Sequence, residues 1–173
     1  MHFDEPQPIP EELYSEYEER PFRTCTRCGE TLDDFEEGYQ LNKVWRRGEC
    51  VFEFALCFHC QQAMAGEFSE ESKQRLTEFQ EKHIDFERPM SECAVCAADR
   101  DSFDSPEFTL IAACECGHMH AGFMVCAKCV EQMQELISKQ TRGVFDKFVE
   151  ENFPGVPADT IPLPTTKPKP VLV

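Results

Sequence analysis

Eight cysteines form four Cys-x-x-Cys pairs, a spacing that lets two thiolates bind the same metal ion. The pairs fall into two sets, and the separation between pairs is almost the same in both. Four thiolates match the tetrahedral preference of Zn²⁺ and leave no coordination position for an activated water. The sequence therefore predicts two structural zinc ions, and iron, which thiolates also bind, is the less favoured alternative. The two predicted ligand sets are Cys25, Cys28, Cys57 and Cys60, and Cys93, Cys96, Cys126 and Cys129.

The two ligand sets belong to two copies of one sequence unit. Outside the cysteines, the copies share apolar residues, a turn glycine and a serine, and such similarity usually marks repeated structural units. We therefore expect an extended acidic arm at 1–22, a zinc-binding repeat at 23–88, a second zinc-binding repeat at 89–153 and a proline-rich disordered tail at 154–173. The matching positions include Leu41 and Leu110, Gly48 and Gly117, Met64 and Met133, Ser69 and Ser138, and Phe79 and Phe148.

Each repeat must bring its two cysteine pairs together, and the intervening sequence indicates how. Residues 39–44 and 51–56 alternate between apolar and polar side chains around Gly48, which predicts a β-hairpin. From Met64 onward, apolar residues recur at helical spacing, which predicts a long amphipathic helix with a buried stripe. The serine- and glycine-containing segment at 66–72 either kinks or breaks that helix.

A ligand turn, a hairpin and a ligand pair on the first turn of a helix resemble the treble-clef class of zinc fingers, which are zinc-ribbon-like. The resemblance covers about 23–84 and 91–153 at the level of the fold. It implies a small, metal-stabilised α+β protein with two tandem treble-clef-like units and one structural zinc ion in each. Because treble clefs serve many unrelated functions, the resemblance does not transfer a function.

The remaining three cysteines suggest further chemistry, and two of them lie in a loop with two histidines. The equivalent loop of the first repeat has neither residue type at these positions, so the fold does not require them. Soft and borderline ligands in one loop could bind a third metal ion, or the thiols could serve a redox role. A plain polar loop is the simplest interpretation. The residues concerned are Cys50, Cys114, Cys116, His118 and His120.

A single tryptophan, Trp45, is surrounded by the cations Lys43, Arg46 and Arg47. Aromatic and cationic side chains together can stack on bases and bind phosphates. Tryptophan and arginine also anchor protein–protein interfaces. A packed tryptophan beside solvated arginines is the third interpretation. Of the two binding functions, the charge of the chain favours a protein partner over nucleic acid.

The chain is strongly acidic, with a formal net charge of −16. This charge opposes binding to nucleic-acid phosphates and anionic lipid and favours basic partners. No apolar run is long enough to span a membrane, and the N-terminus lacks the apolar segment of a signal peptide. We therefore expect a cytoplasmic protein, in which thiols stay reduced. The predicted amphipathic helices also allow a homodimer.

The sequence contains no recognisable catalytic motif, such as His-Glu-x-x-His or a phosphate-binding loop. We therefore predict a non-catalytic protein that acts as a protein–protein interaction adaptor or regulatory module with two structural four-cysteine zinc sites. Two alternatives remain open at this point. One is a thiol-based redox or metal sensor that uses Cys50, Cys114 and Cys116. The other is a nucleic-acid binder that uses the loop at 43–47.

Overall fold

The computed structural model describes residues 2–34, 36–102 and 107–153, which form one antiparallel five-stranded sheet and four helices. The predicted small α+β class is confirmed at this level, while the predicted tail at 154–173 lies outside the described residues. The strands are β1 (His2–Pro8), β2 (Tyr39–Arg46), β3 (Glu49–Cys57), β4 (Glu107–Glu115) and β5 (His118–Cys126). The helices are α1 (Phe58–Gly66), α2 (Glu70–His83), α3 (Ala127–Gln134) and α4 (Lys139–Asn152).

Each repeat contributes one tight hairpin. The turn between β2 and β3 consists of Arg47 and Gly48, with φ values of 54° and 82°. The turn between β4 and β5 consists of Cys116 and Gly117, with φ values of 48° and 80°. Two successive positive φ values define the type I′ turn, whose twist matches that of paired strands and which favours glycine. The glycines thus fix the hairpins that the alternating sequence predicts.

The two hairpins join into a single sheet with the strand order β1-β5-β4-β2-β3. Strands β2 and β4 pair antiparallel along their length, from Tyr39 opposite Cys114 to Arg46 opposite Glu107. We call this pairing the seam. The two repeats therefore share one continuous sheet, and their predicted division into separate units at 23–88 and 89–153 stays a prediction.

Each repeat has two helices where the sequence predicted one long helix, for which an interruption at 66–72 was left open only in the first repeat. Ser69 interrupts the first at a ψ of 150°, and its side chain accepts a hydrogen bond from the backbone N–H of Ser72. Ser138 interrupts the second at a ψ of 170° and accepts from the N–H of Thr141 in the same way. Serine is a favoured N-cap because its hydroxyl satisfies a free N–H of the first turn. Helical spacing alone did not reveal the break.

The segment preceding the first ligand pair packs against the rest of the molecule. Strand β1 pairs with β5 of the second repeat, and Leu13 is completely buried. Arg100 of the second repeat forms an ion pair with Glu12 at 3.1 Å. The hydroxyl of Ser15 donates to a carboxylate oxygen of Glu53 in the first repeat at 3.2 Å, so the predicted acidic arm contacts both repeats. None of the helices in the described part of the chain is long and apolar enough to cross a membrane.

Candidate metal centres

In the first repeat, β3 and α1 meet at one ligand pair. Cys57 ends β3 and is the N-cap of α1, and Cys60 lies in the first turn of that helix. Cys25 and Cys28 lie in a turn that is closed by a 2.9 Å hydrogen bond from the N–H of Gly29 to the carbonyl of Cys25. Gly29 has a φ of 77°, which glycine adopts without strain. The four sulfur atoms all lie within 4.8 Å of one another.

The protein itself holds the first ligand turn against the hairpin and the helix. The backbone N–H of Thr26 donates to the carbonyl of Ala55 at 2.7 Å, and the Thr26 hydroxyl accepts from the Ala55 N–H at 3.1 Å. The guanidinium of Arg27 donates to the carbonyl of Cys60 at 3.2 Å. These bonds position the two cysteine pairs opposite each other.

The second repeat reproduces this arrangement. Cys126 ends β5 and is the N-cap of α3, and Cys129 lies in the first turn of α3. The turn that contains Cys93 and Cys96 is closed by a 2.9 Å bond from the N–H of Ala97 to the carbonyl of Cys93. These four sulfur atoms also lie within 4.8 Å of one another. Each group therefore draws its ligands from one repeat.

Backbone dipoles act on the sulfur atoms unequally. The N–H of Cys57 donates to Sγ of Cys25 at 3.4 Å. Burial raises the pKa of the Cys25 thiol, but backbone hydrogen bonds outweigh burial and leave this pKa below its usual value. Burial raises the pKa of the Cys60 thiol, and the neighbouring sulfurs raise it further. Because four thiolates repel one another, a bound cation is what would keep all four deprotonated.

The sulfur geometry fits zinc. At a Zn–S distance of about 2.3 Å, a tetrahedral site has S–S edges of about 3.8 Å. The Sγ atoms of Cys28 and Cys57 lie 3.9 Å apart, and those of Cys96 and Cys126 lie 3.7 Å apart. Three cysteines of each group are buried, and only Cys28 and Cys96 are exposed. Both groups could hold a metal ion, and the donor set is consistent with structural zinc.

The fold and the two sites define a small α+β protein with two four-cysteine groups suited to metal binding. Comparisons with protein-family models, curated proteins and solved structures found no match to this chain. The function is therefore inferred from the geometry of the chain itself.

The structure does not bring together the four residues considered as a third metal site. Cys114 is buried in β4, whereas Cys116 is exposed in the hairpin turn. The Nδ1 atom of His118 lies 3.1 Å from the carbonyl of Cys116, and Nε2 of His120 lies 3.0 Å from a carboxylate oxygen of Glu115. Within residues 2–34, 36–102 and 107–153, only the two four-cysteine groups bring three or more potential ligand atoms within 4.8 Å.

Burial disfavours the thiolate form of two of the three leftover cysteines. Burial raises the pKa of Cys114 to about 12 and the pKa of Cys50 to about 11. The thiol of Cys50 also contacts the carbonyl of Phe52, with Sγ and O 3.6 Å apart. Since the thiolate is the reactive form of cysteine, Cys50 and Cys114 are poor nucleophiles at neutral pH.

Trp45 lies beside an open groove of about 390 Å³, which we call the Trp45 groove. The indole stacks on the ring of Phe108, with the ring centroids 6.2 Å apart. Residues of both repeats form the groove, so the sequence of either repeat alone gave no signal for it. The residues that line the groove include Val44, Trp45, Arg46, Phe108, Val130 and Glu131.

Lys43, which the sequence placed beside Trp45 as a partner contact, has a completely buried side chain. Its ammonium donates to the carbonyl of Tyr14 and to a carboxylate oxygen of Glu16 at 2.7 Å. A carboxylate oxygen of Glu53 lies 3.7 Å away. Lys43 thus connects the N-terminal segment to the sheet, and Arg46 and Arg47 are the cations of this loop that solvent reaches.

Proposed function

We propose that this chain is a non-catalytic zinc protein that acts as a protein–protein interaction adaptor or regulatory module. We infer that each repeat is a treble-clef-like unit stabilised by one structural Zn²⁺. The observation that carries this proposal is that each group offers four thiols, three of them buried. An ion held by all four has no coordination position left for a substrate or an activated water.

The Trp45 groove supports an adaptor role and suggests the chemistry of the partner. Trp45 and Phe108 supply aromatic surface, and aromatic residues anchor protein interfaces. Glu107 and Glu131 place carboxylates around that surface, and the whole chain has a net charge of −16. A basic protein segment with an apolar side chain matches the aromatic surface of this groove and its lining, in which two carboxylates outnumber the guanidinium of Arg46.

The alternatives receive less support from the same residues. The raised pKa values of Cys50 and Cys114 disfavour a thiol sensor that works through these two residues. The burial of Lys43 leaves Arg46 and Arg47 to attract a nucleic acid to a chain of charge −16. That charge opposes the neutralisation of phosphates on which nucleic-acid affinity depends.

Elemental analysis of protein purified without added metal tests whether each four-cysteine group binds one zinc ion. We expect two zinc ions per chain, and we expect chelation to release the eight thiols of the two groups. Chelation should also unfold the protein, since metal-binding free energy is folding free energy at such sites. Iron in place of zinc, or a third ion that Cys116→Ser or His118→Ala removes, would contradict the proposal.

Site-specific photo-crosslinking in the native host tests the adaptor role. A photoreactive amino acid that replaces Arg46 lies in the lining of the groove. The same amino acid in place of Arg75, on the exposed side of α2, is the matched control. We expect one discrete protein adduct from position 46, and we expect it to be lost in Trp45→Ala. Equal adducts from both positions, or an adduct that persists in Trp45→Ala, would contradict a partner in the groove.

A further inference from the structure

The seam is symmetric with respect to the internal repeat. Asn42 lies opposite Ile111 in the sheet, and these two residues are 69 positions apart, as are Ser69 and Ser138. Asn42 and Ile111 are therefore equivalent positions of the two repeats. If each residue is replaced by its equivalent in the other repeat, every seam pair on one side of Asn42 and Ile111 becomes a seam pair on the other side. The outermost such pairs are Tyr39 with Cys114, and Trp45 with Phe108.

A second contact between the repeats obeys the same symmetry. The hydroxyls of Ser69 and Ser138, the equivalent N-caps of α2 and α4, lie 2.8 Å apart. The N–H of Ser69 donates to Oγ1 of Thr141 at 2.9 Å, and the N–H of Ser138 donates to Oγ of Ser72 at 2.8 Å. Each of these two bonds is the counterpart of the other. The seam and the paired caps thus share one pseudo-two-fold axis.

The two hairpins on either side of the axis also have the same internal register. Tyr39 pairs with Cys57 in the first, and Phe108 pairs with Cys126 in the second. Both ladders shift by one residue at the same place, between Val44 and Trp45 and at the equivalent step in β4. Two copies of one shape that meet through the same surface form an isologous interface, the kind found in symmetric dimers.

We propose that the two halves of the chain are each other's binding partner and form an intramolecular pseudo-dimer. In this arrangement the first half, up to residue 87, and the second half, from residue 88, stay associated without the peptide that connects them. The seam, the paired caps and the pairing of β1 with β5 hold the halves together. The seam surface is already occupied within one chain, so a second copy cannot use it.

The pseudo-symmetry also distinguishes the Trp45 groove from its counterpart. Trp45 and Phe108 correspond to Cys114 and Tyr39, and a Cβ on Gly38 would lie 2.4 Å from the carbonyl oxygen of Cys114. The backbone is thus closely packed at that end of the seam, while the other end has the open groove. The groove needs residues from both halves and therefore exists only in the assembled pair.

Cutting the zinc-loaded full chain tests this proposal. A protease recognition sequence is inserted between Glu87 and Arg88, in the exposed connection after α2. The uncut variant must first show two zinc ions and the far-ultraviolet circular dichroism of the parent. If it does not, the sequence is placed instead between Lys82 and His83, at the exposed end of α2.

After cleavage at micromolar concentration, we expect the halves to elute together from a sizing column at the position of the uncut chain. Both zinc ions should remain bound. Two separate species, each at the size of one half, would overturn the proposal. Halves that remain together but also exchange with an excess of uncut chain would overturn the claim that the seam is closed to a second copy.

Symmetry-related substitutions give the second arm of the test. Ser69→Ala and Ser138→Ala each remove the same contact from opposite sides of the axis. We expect each to speed the dissociation of the cut halves by about fivefold, the effect of losing about one net hydrogen bond between the halves. Ser91→Ala, at an exposed serine, is the control and should leave the rate unchanged. Unequal effects of the two cap variants would overturn the two-fold relation.

Discussion

Gly29 and Ala97 take the same place in the two ligand turns, yet only glycine suits it. Their φ values are 77° and 65°, both in the left-handed region. An L-residue in that region costs about 1–2 kcal/mol because its Cβ crowds the backbone. The second metal turn therefore contains strain that the first turn lacks.

Ala97→Gly should raise the free energy of unfolding of the zinc-loaded protein by about 1 kcal/mol, since it removes this strain. Gly29→Ala should lower it by a similar amount, because a Cβ there meets no atom within 4 Å and adds only backbone strain. Denaturant titration measures both. Changes of the same sign in the two variants would contradict the equivalence of the turns.

The buried thiol of Cys114 makes stability depend on pH. Its pKa is raised from 9.0 to about 12 in the folded protein by burial. Between these values the unfolded chain loses the proton and the folded chain keeps it, so stability falls as pH rises. The contribution is fully present below pH 9 and is lost towards pH 12.

Removing that thiol should flatten the alkaline part of the stability profile. We expect the difference in unfolding free energy between the parent and Cys114→Ala to change by about 1.4 kcal/mol per pH unit above pH 9. Cys116→Ala, at the exposed turn, is the control. Parallel profiles for the parent and Cys114→Ala, measured with reductant present, would show that Cys114 is not protected from ionisation.

Among the secondary-structure elements, strand β2 departs most from a simple amphipathic pattern. Both of its faces are buried from Tyr39 to Lys43, since it lies inside the shared sheet. Asn42 sits at the centre of the seam with a buried Oδ1 that has no hydrogen-bond partner among the described residues. An unsatisfied buried acceptor costs about 1–3 kcal/mol. The first repeat thus has a polar residue where the second repeat has Ile111.

Asn42→Leu should raise the free energy of unfolding by about 1 kcal/mol, because it replaces an unsatisfied acceptor with apolar surface of similar shape. Gln40→Leu, at another buried polar side chain of the same strand, is the matched control and should not stabilise, because Gln40 has no atom among the unsatisfied buried groups of the described residues. Chemical denaturation of the two zinc-loaded variants measures both effects. Destabilisation by Asn42→Leu would indicate that the amide has a role beyond packing.

At the scale of the whole molecule, one continuous sheet connects the two four-cysteine groups. The sequence by itself suggests that each repeat folds around its own ion. In the structure, however, β2 of the first repeat borders β4 of the second along the seam. We therefore expect the loss of one proposed ion to weaken one strand of the seam and so to destabilise the other repeat as well.

Cys25→Ser tests this coupling. We expect it to remove one zinc ion and to destabilise both repeats, which a single unfolding transition shifted to lower denaturant would show. Cys93→Ser, the equivalent change in the second repeat, is the matched variant and should behave alike. Two separate transitions, with the second repeat as stable as in the parent, would instead show that the repeats fold independently.

The sequence by itself determined the duplication, the grouping of the cysteines and the hairpins. These depend on local spacing: Cys-x-x-Cys positions two sulfurs through one turn, and a glycine such as Gly48 permits a turn with positive φ. The helix break at Ser69 was visible only as an ambiguity, because helical spacing continues across a cap. A serine can lie within a helix or cap one, and contacts with the surrounding structure determine which backbone conformation it adopts.

Only the tertiary structure decided how the two repeats meet. The seam, the burial of Lys43 and the Trp45 groove all bring together residues far apart in the chain. Strand pairing between repeats is set by the burial of both faces of β2 and by the symmetry of two similar surfaces. Because these contacts are non-local, no local sequence pattern predicts them. The sequence predicts the two four-cysteine groups, and only the tertiary structure shows how the two repeats join.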